Sequence, residues 1–141
     1  MPTPKEIAAT LGAAEEKLAA ARSLLSAGYC ADAASRAYYC AFHAISAVLL
    51  SRHLSFSAHG QTIGAFNREF VKQGLFPKHF SRRLAKMQAD REAGDYRTSS
   101  PIGSQIATED VQFAEEILSE CRKYLYSLFD DIENVAASPL P

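Results

Sequence analysis

Residues 31 to 53 read ADAASRAYYCAFHAISAVLLSRH, and how that run folds decides the architecture of the whole chain. Tyr38, Phe42, Ile45 and Leu49 recur at four- and three-residue steps, and Ala37, Ala41, Ala44 and Val48 form a neighbouring row of small side chains. Both rows lie side by side on one helix, which is therefore apolar over much of its circumference. Such a helix is buried on several sides, and its small residues let another helix approach closely. The spacing predicts a central helix over 31–53, with Asp32 in its first turn, where a carboxylate meets the positive end of the helix dipole.

Helix signals extend from this run in both directions. Upstream, Thr3, Pro4 and Glu6 supply a hydroxyl cap, a proline at the first helical position and a carboxylate three residues past the cap. Ile7, Leu11, Ala14, Leu18, Ala21 and Leu25 then make one stripe that Gly28 ends. Downstream, Ser57 is placed to cap a third helix carrying Ile63, Phe66 and Phe70, which Gly74 ends before Pro77 starts a fourth. The fourth repeats Phe80, Leu84 and Met87, and Arg91 takes the next place in the stripe. A polar loop with Pro101 and Gly103 follows, spanning 95–105, and Thr108, Glu109 and Asp110 are placed to open a last helix whose stripe runs from Val111 to Ile132. No run alternates with the period of a strand. Short connections such as Gly28-Tyr29 favour antiparallel neighbours, so the prediction is an all-α, up-and-down antiparallel bundle of about five helices. It forms a single domain over 1–141, with a fraying tail at 134–141.

The composition agrees with an ordinary globular domain: 141 residues, 48% hydrophobic and 22% charged, with a formal net charge of −1. That balance excludes a broad electrostatic attraction for a nucleic-acid backbone, so any such contact must be local. The opening MPTPKEIAAT lacks the pattern of a signal peptide, and no apolar run approaches the roughly 18 residues that span a bilayer. The expectation is a cytoplasmic protein with no membrane contact. Cys30, Cys40 and Cys121 are odd in number and scattered, which fits small core thiols and not a disulfide framework. The four histidines, at positions 43, 53, 59 and 79, show no metal-binding spacing, so no metal and no cofactor are expected.

Three groups of residues carry potential chemistry. On the central helix, Arg36, Tyr39, Cys40 and His43 stand at i, i+3, i+4 and i+7 and form a polar column beside the apolar rows. Two readings are open: Arg36 as one half of a structural ion pair and His43 as a satisfied core histidine, or both as lining a cleft. Arg91 continues a core stripe, so it must find a buried partner, reach solvent or line a cleft, because an unpaired buried guanidinium is very costly. Asp95, four residues on, is the nearest partner. Lys78, Arg82 and Lys86, with His79 and Arg83 beside them, make a basic face that is either solvated or docks phosphates or an acidic partner.

Taken together, Gly28-Tyr29, the run AASRAYYCAFHA over 33–44, SAHG over 57–60, the segment from Phe66 to Gly74 and REAGDY over 91–96 resemble HEPN proteins of the UPF0332 type. The likeness covers about residues 8 to 128, and its most specific pieces are Tyr-Tyr-x-x-Phe-His-Ala and Arg-x-x-x-Asp-Tyr in that order. The resemblance implies a helical bundle, a homodimer, a minimal nucleotidyltransferase as partner in a toxin–antitoxin-like pair, and a cleft for nucleotide or RNA. On these residues the cleft would hold Arg36, Tyr39, His59, Asp95 and Tyr96 as binding groups, and Arg91 with His43 as catalytic groups.

Many HEPN proteins are metal-independent endoribonucleases that use an arginine, a polar residue beside it and a histidine several positions later. Here Arg91 matches the arginine, Glu92 follows it, and Tyr96 stands where that histidine is expected. A tyrosine near its reference pKa of about 10 is a poor general base at neutral pH. Cleavage therefore requires the fold to bring His43 or His59 to the place of the missing imidazole.

Overall fold

The structure is a computed structural model that describes residues 3–96 and 102–129. Five α-helices follow one another: α1 Pro4–Ser26, α2 Cys30–Leu50, α3 His59–Phe66, α4 His79–Tyr96 and α5 Ser104–Leu128. A single π-helical turn, Asn67–Val71, continues α3. The described residues contain no strand, so the chain is an all-α bundle as its periodicities predict.

α1 starts as its residues require. The Glu6 amide donates to Thr3 Oγ1 at 3.1 Å and the Thr3 amide donates to Glu6 Oε2 at 2.8 Å, a reciprocal cap worth about 1 kcal/mol. Ile7, Leu11, Ala14, Leu18 and Ala21 of its stripe are buried. At the far end Gly28 adopts φ +88°, a conformation that favours glycine, and the amides of Gly28 and Tyr29 return to the carbonyls of Leu25 and Leu24. The chain thus reverses in a few residues and lays α2 antiparallel on α1.

α2 is the central element, packed against α1, α3, α4 and α5. Ala37, Ala41, Ala44 and Val48 are fully buried, as is the larger row of Tyr38, Ile45 and Leu49. Phe66, Phe70, Phe76 and Phe80 close the lower core with edge and stacked ring contacts at 5.1 to 6.1 Å between centroids. At the other end α4 comes close to the start of α2. A Cβ placed on Gly94 would lie 3.3 Å from Ala31 Cβ, so the absence of a side chain there lets α4 approach.

Several boundaries depart from the sequence expectation. Ser57 makes no cap; Ala58 occupies that position and α3 begins at His59. Pro77 precedes α4, and its carbonyl accepts from the Phe80 amide. α5 starts one turn earlier than Thr108, behind an extended Gly103, and this changes the role of Asp110. Instead of opening a helix at the surface, Asp110 is buried on the inner face of α5 with Arg83 Nη2 at 3.7 Å and Lys86 Nζ at 4.0 Å. Lys86 also reaches Asp90 at 2.7 Å, Arg83 donates to the Glu109 carbonyl, and His79 meets Glu116 at 2.9 Å. Much of the basic face of α4 is thereby spent on holding α5 and not on an outside partner. Ile132, the tail and part of the 95–105 loop lie outside the described residues. Among the described residues no helix is long and apolar enough to cross a membrane.

Candidate functional site

The polar column of α2 forms one wall of a groove, with one exception. Arg36 is exposed and Tyr39 and His43 are half-buried, but Cys40 turns inward, fully buried, with its Sγ 3.9 Å from the Ala114 carbonyl of α5. Burial pushes that thiol up to about 12, so Cys40 is a core residue and not a member of the column. Cys121 is likewise buried in the core.

Arg91 faces the column. From α4, its Nη1 donates to the Tyr39 hydroxyl at 3.2 Å, and its guanidinium lies 5.2 Å from the ring centroid of Tyr38 and 5.5 Å from that of Tyr39. A planar cation over two aromatic faces has favourable electrostatics and little desolvation cost. The guanidinium thus packs against the two tyrosine rings of α2 while it donates to the Tyr39 hydroxyl.

His59, the first residue of α3, completes the layer. Its Nδ1 is 3.0 Å from the Tyr38 hydroxyl, and its ring stacks on Phe42 at 4.1 Å between centroids with a 30° tilt. The edge of Tyr39 meets it at 5.8 Å. Burial, opposed in part by the Arg91 charge, raises Tyr38 to about 12, so the phenol stays protonated. His59 is held below the ordinary histidine value by burial and then by Arg91, which keeps its ring neutral near pH 7. Tyr38 Oη and His59 Nδ1 share this hydrogen bond, whose direction follows the imidazole tautomer, and the tautomer that donates from Nδ1 leaves Nε2 as an acceptor. His43 is also lowered, by burial, then by the charge of Lys17, then by His59.

These side chains surround two adjoining cavities. One, of about 390 Å³, is lined by Lys17, Arg36, Tyr39, Phe42, His43 and His59. The other, of about 410 Å³, is lined by Leu24, Asp32, Ser35, Arg36 and Tyr39. Arg36 and Tyr39 belong to both, so the cavities form one groove along α2, of a size suited to small organic ligands. The structure therefore brings Arg36, Tyr39, His43 and His59 into one concavity. Arg91 stands behind it and reaches it through the Tyr39 hydroxyl. Asp95 and Tyr96 belong to the last turn of α4, and their side chains lie outside the described residues.

Three members of the site carried little signal in the sequence. Tyr38 reads as part of the apolar row, and only the rule that a buried hydroxyl needs a partner marks it out. Phe42 reads as core but is half-buried and forms a wall of the groove. Lys17 neighbours the buried stripe of α1, and nothing in its spacing points to His43.

Comparison with known proteins gives a consistent picture. The model of the HEPN domain matches residues 7–124. A UPF0332 protein of Thermotoga maritima is 35% identical over 115 residues, which cover 82% of this chain and 87% of that protein. A protein of Methanocaldococcus jannaschii named as a candidate toxin is 33% identical over 121 residues, covering 86% of this chain and 90% of its own. A UPF0332 protein of Gloeobacter violaceus is 30% identical over 112 residues.

Proposed function

Because the chain belongs to the HEPN domain family, we propose that it is a HEPN-type binding module of a toxin–antitoxin-like system, taking nucleotide or single-stranded RNA in the groove along α2. In this proposal it acts as a homodimer and pairs with a minimal nucleotidyltransferase. The observation that carries the binding part is the convergence of Lys17 and Arg36, two cations, with Tyr39, Phe42 and His59, three rings, in one concavity. Cations that meet phosphate and rings that meet bases are the two components of single-strand binding. A net charge of −1 leaves no other broad attraction, so the local pair of cations has to provide it. The names given to the relatives from Methanocaldococcus jannaschii support the toxin-like setting.

Titration of the purified protein with nucleotide and with single-stranded RNA tests the binding. The expected result is association that Arg91→Ala weakens while its circular dichroism spectrum stays that of a folded helical bundle. Unchanged association in that variant removes Arg91 from the site. Co-purification with a nucleotidyltransferase encoded beside this chain, and a dimeric mass by light scattering, test the partners.

A second reading, RNA cleavage without metal, is supported by one observation: Tyr38 and Phe42 hold His59 near Arg91 as a neutral base. In that reaction a 2′-hydroxyl attacks the adjacent phosphate while an imidazole takes its proton, positive charge balances the developing phosphorane, and the P–O5′ bond breaks, the 5′-oxygen leaving with a proton and a 2′,3′-cyclic phosphate remaining. Labelled RNA incubated with the protein and EDTA would be cut, and Arg91→Ala with either His59→Ala or His43→Ala would not cut it. Equal products from the wild type and these variants discard the enzyme.

A further inference from the structure

The cavity beside Leu24 carries polar groups of its own. Asp32 and Ser35, three residues apart on α2, stand next to each other on one face and both line it. Neither side chain has a hydrogen-bond or ion-pair partner among the described residues. Asp32 and Arg36 are spaced for an i,i+4 ion pair, yet none joins them. The dipole of α2 favours a carboxylate in its first turn, but this favours any acidic residue there and does not place a hydroxyl beside it in a concavity. The walls are Leu24 of α1 and Tyr39 of α2, an apolar side chain and an aromatic ring.

We propose that this cavity is a guanine-selective base subsite, in which Asp32 and Ser35 read the base edge and Arg36 holds the phosphate between this base and its neighbour on Phe42 and His59. An ionised carboxylate only accepts, through two oxygens, and it repels phosphate. It therefore demands an edge with two adjacent N–H donors. Among the RNA bases guanine alone offers this, at N1 and N2, with the O6 acceptor next to them. The Ser35 hydroxyl supplies the donor for O6, so acceptor, acceptor and donor in the groove face donor, donor and acceptor on the base. Adenine and cytosine present an acceptor to one of the Asp32 oxygens and are rejected; uracil offers only one donor. Leu24 and Tyr39 contact the faces of the base, and Arg36, shared by both cavities, lies where the backbone must cross. The inference rests on the groove being a nucleotide site and adds its specificity.

Fluorescence anisotropy with labelled uridine pentamers carrying guanosine, inosine or adenosine at the centre tests it. Wild-type protein should bind the guanosine pentamer at least about tenfold more tightly than the adenosine one, as one bidentate contact implies. Inosine, which lacks the N2 amino group, should fall between them. In Asp32→Asn the guanosine preference should drop below about threefold while the adenosine pentamer binds at least as well as to wild type, because a negative charge is gone. Equal affinity for all three pentamers, or an undiminished preference in Asp32→Asn, overturns the subsite and leaves the groove as an unselective binder. Failure of every pentamer to bind overturns the subsite together with the nucleotide reading beneath it.

Discussion

Arg91 of α4 donates to the hydroxyl of Tyr39 on α2 across 3.2 Å, and this contact ties the end of the fourth helix to the wall of the groove. The guanidinium also sits against the ring of Tyr38, whose hydroxyl meets His59. A single cation thus acts on three members of the site, two by contact and one through its charge.

The effect on His59 is measurable. Arg91 lowers the His59 pKa from nearby, so Arg91→Gln should move it upward, toward the ordinary histidine value. Titration of the imidazole signals by NMR checks this, and an unmoved His59 would show that its environment is set by burial alone. Loss of the Tyr39 hydrogen bond together with the guanidinium's contacts on the rings of Tyr38 and Tyr39 should cost about 1–3 kcal/mol of stability.

Tyr38→Phe removes only the hydroxyl that holds His59 Nδ1. The ring still fills its place in the core, so the loss should stay near about 1 kcal/mol in urea denaturation. Freed from its partner, His59 should show averaged ring shifts in place of one set, and binding of RNA should weaken.

Gly94→Val should push α4 from the start of α2, because a β carbon there already falls 3.3 Å from Ala31 Cβ and valine adds two more atoms. Overpacking of this kind costs about 1–3 kcal/mol, which thermal melting would report. A variant as stable as the wild type would place the ends of the two helices farther apart than described.

Asp110 gives a pH dependence with a definite sign. Its carboxyl is raised from 3.8 to about 7, first by burial and then by Asp90, against the opposing charges of Lys86 and Arg83. A raised acid contributes stability that is full below its unfolded pKa and lost as pH rises through the folded one. Asp110→Asn is neutral throughout, so wild-type stability should fall relative to this variant between about pH 4 and pH 7, by an amount on the order of a few kcal/mol. Denaturant titrations across that range check it, and a constant difference between the two proteins would mean that Asp110 stays ionised.

Much of the fold is legible because the apolar spacing is regular. The stripes of α1 and α2 and the stripe of α5 as far as Leu125 predict what is buried, and Thr3, Pro4, Glu6 and Gly28 mark the ends of α1. The start of α5 is misplaced because Asp110 carries the residue type of a first turn, and spacing alone does not tell a helix-dipole carboxylate from one paired with Arg83 and Lys86 inside the bundle. Cys40 shares a helical face with Tyr39 in projection and so falls in the polar column, yet the close approach of α5 buries it as the core thiol that its residue type suggests. At the site, Arg91 stands out by interrupting a core stripe, and Arg36, Tyr39 and His43 by forming a column. Lys17 and the Tyr38–His59 contact depend on how helices distant in sequence meet, which no local pattern records.

The claim that the groove along α2 binds single-stranded RNA is tested most directly by anisotropy of a labelled RNA oligomer with wild-type protein and with Arg36→Glu. Arg36 is exposed and belongs to both cavities, so reversing its charge should leave the bundle folded. Binding by the wild type should be saturable and salt-sensitive, and the variant should lose at least about tenfold in affinity. Binding of equal strength by the two proteins, or none by the wild type, would contradict it.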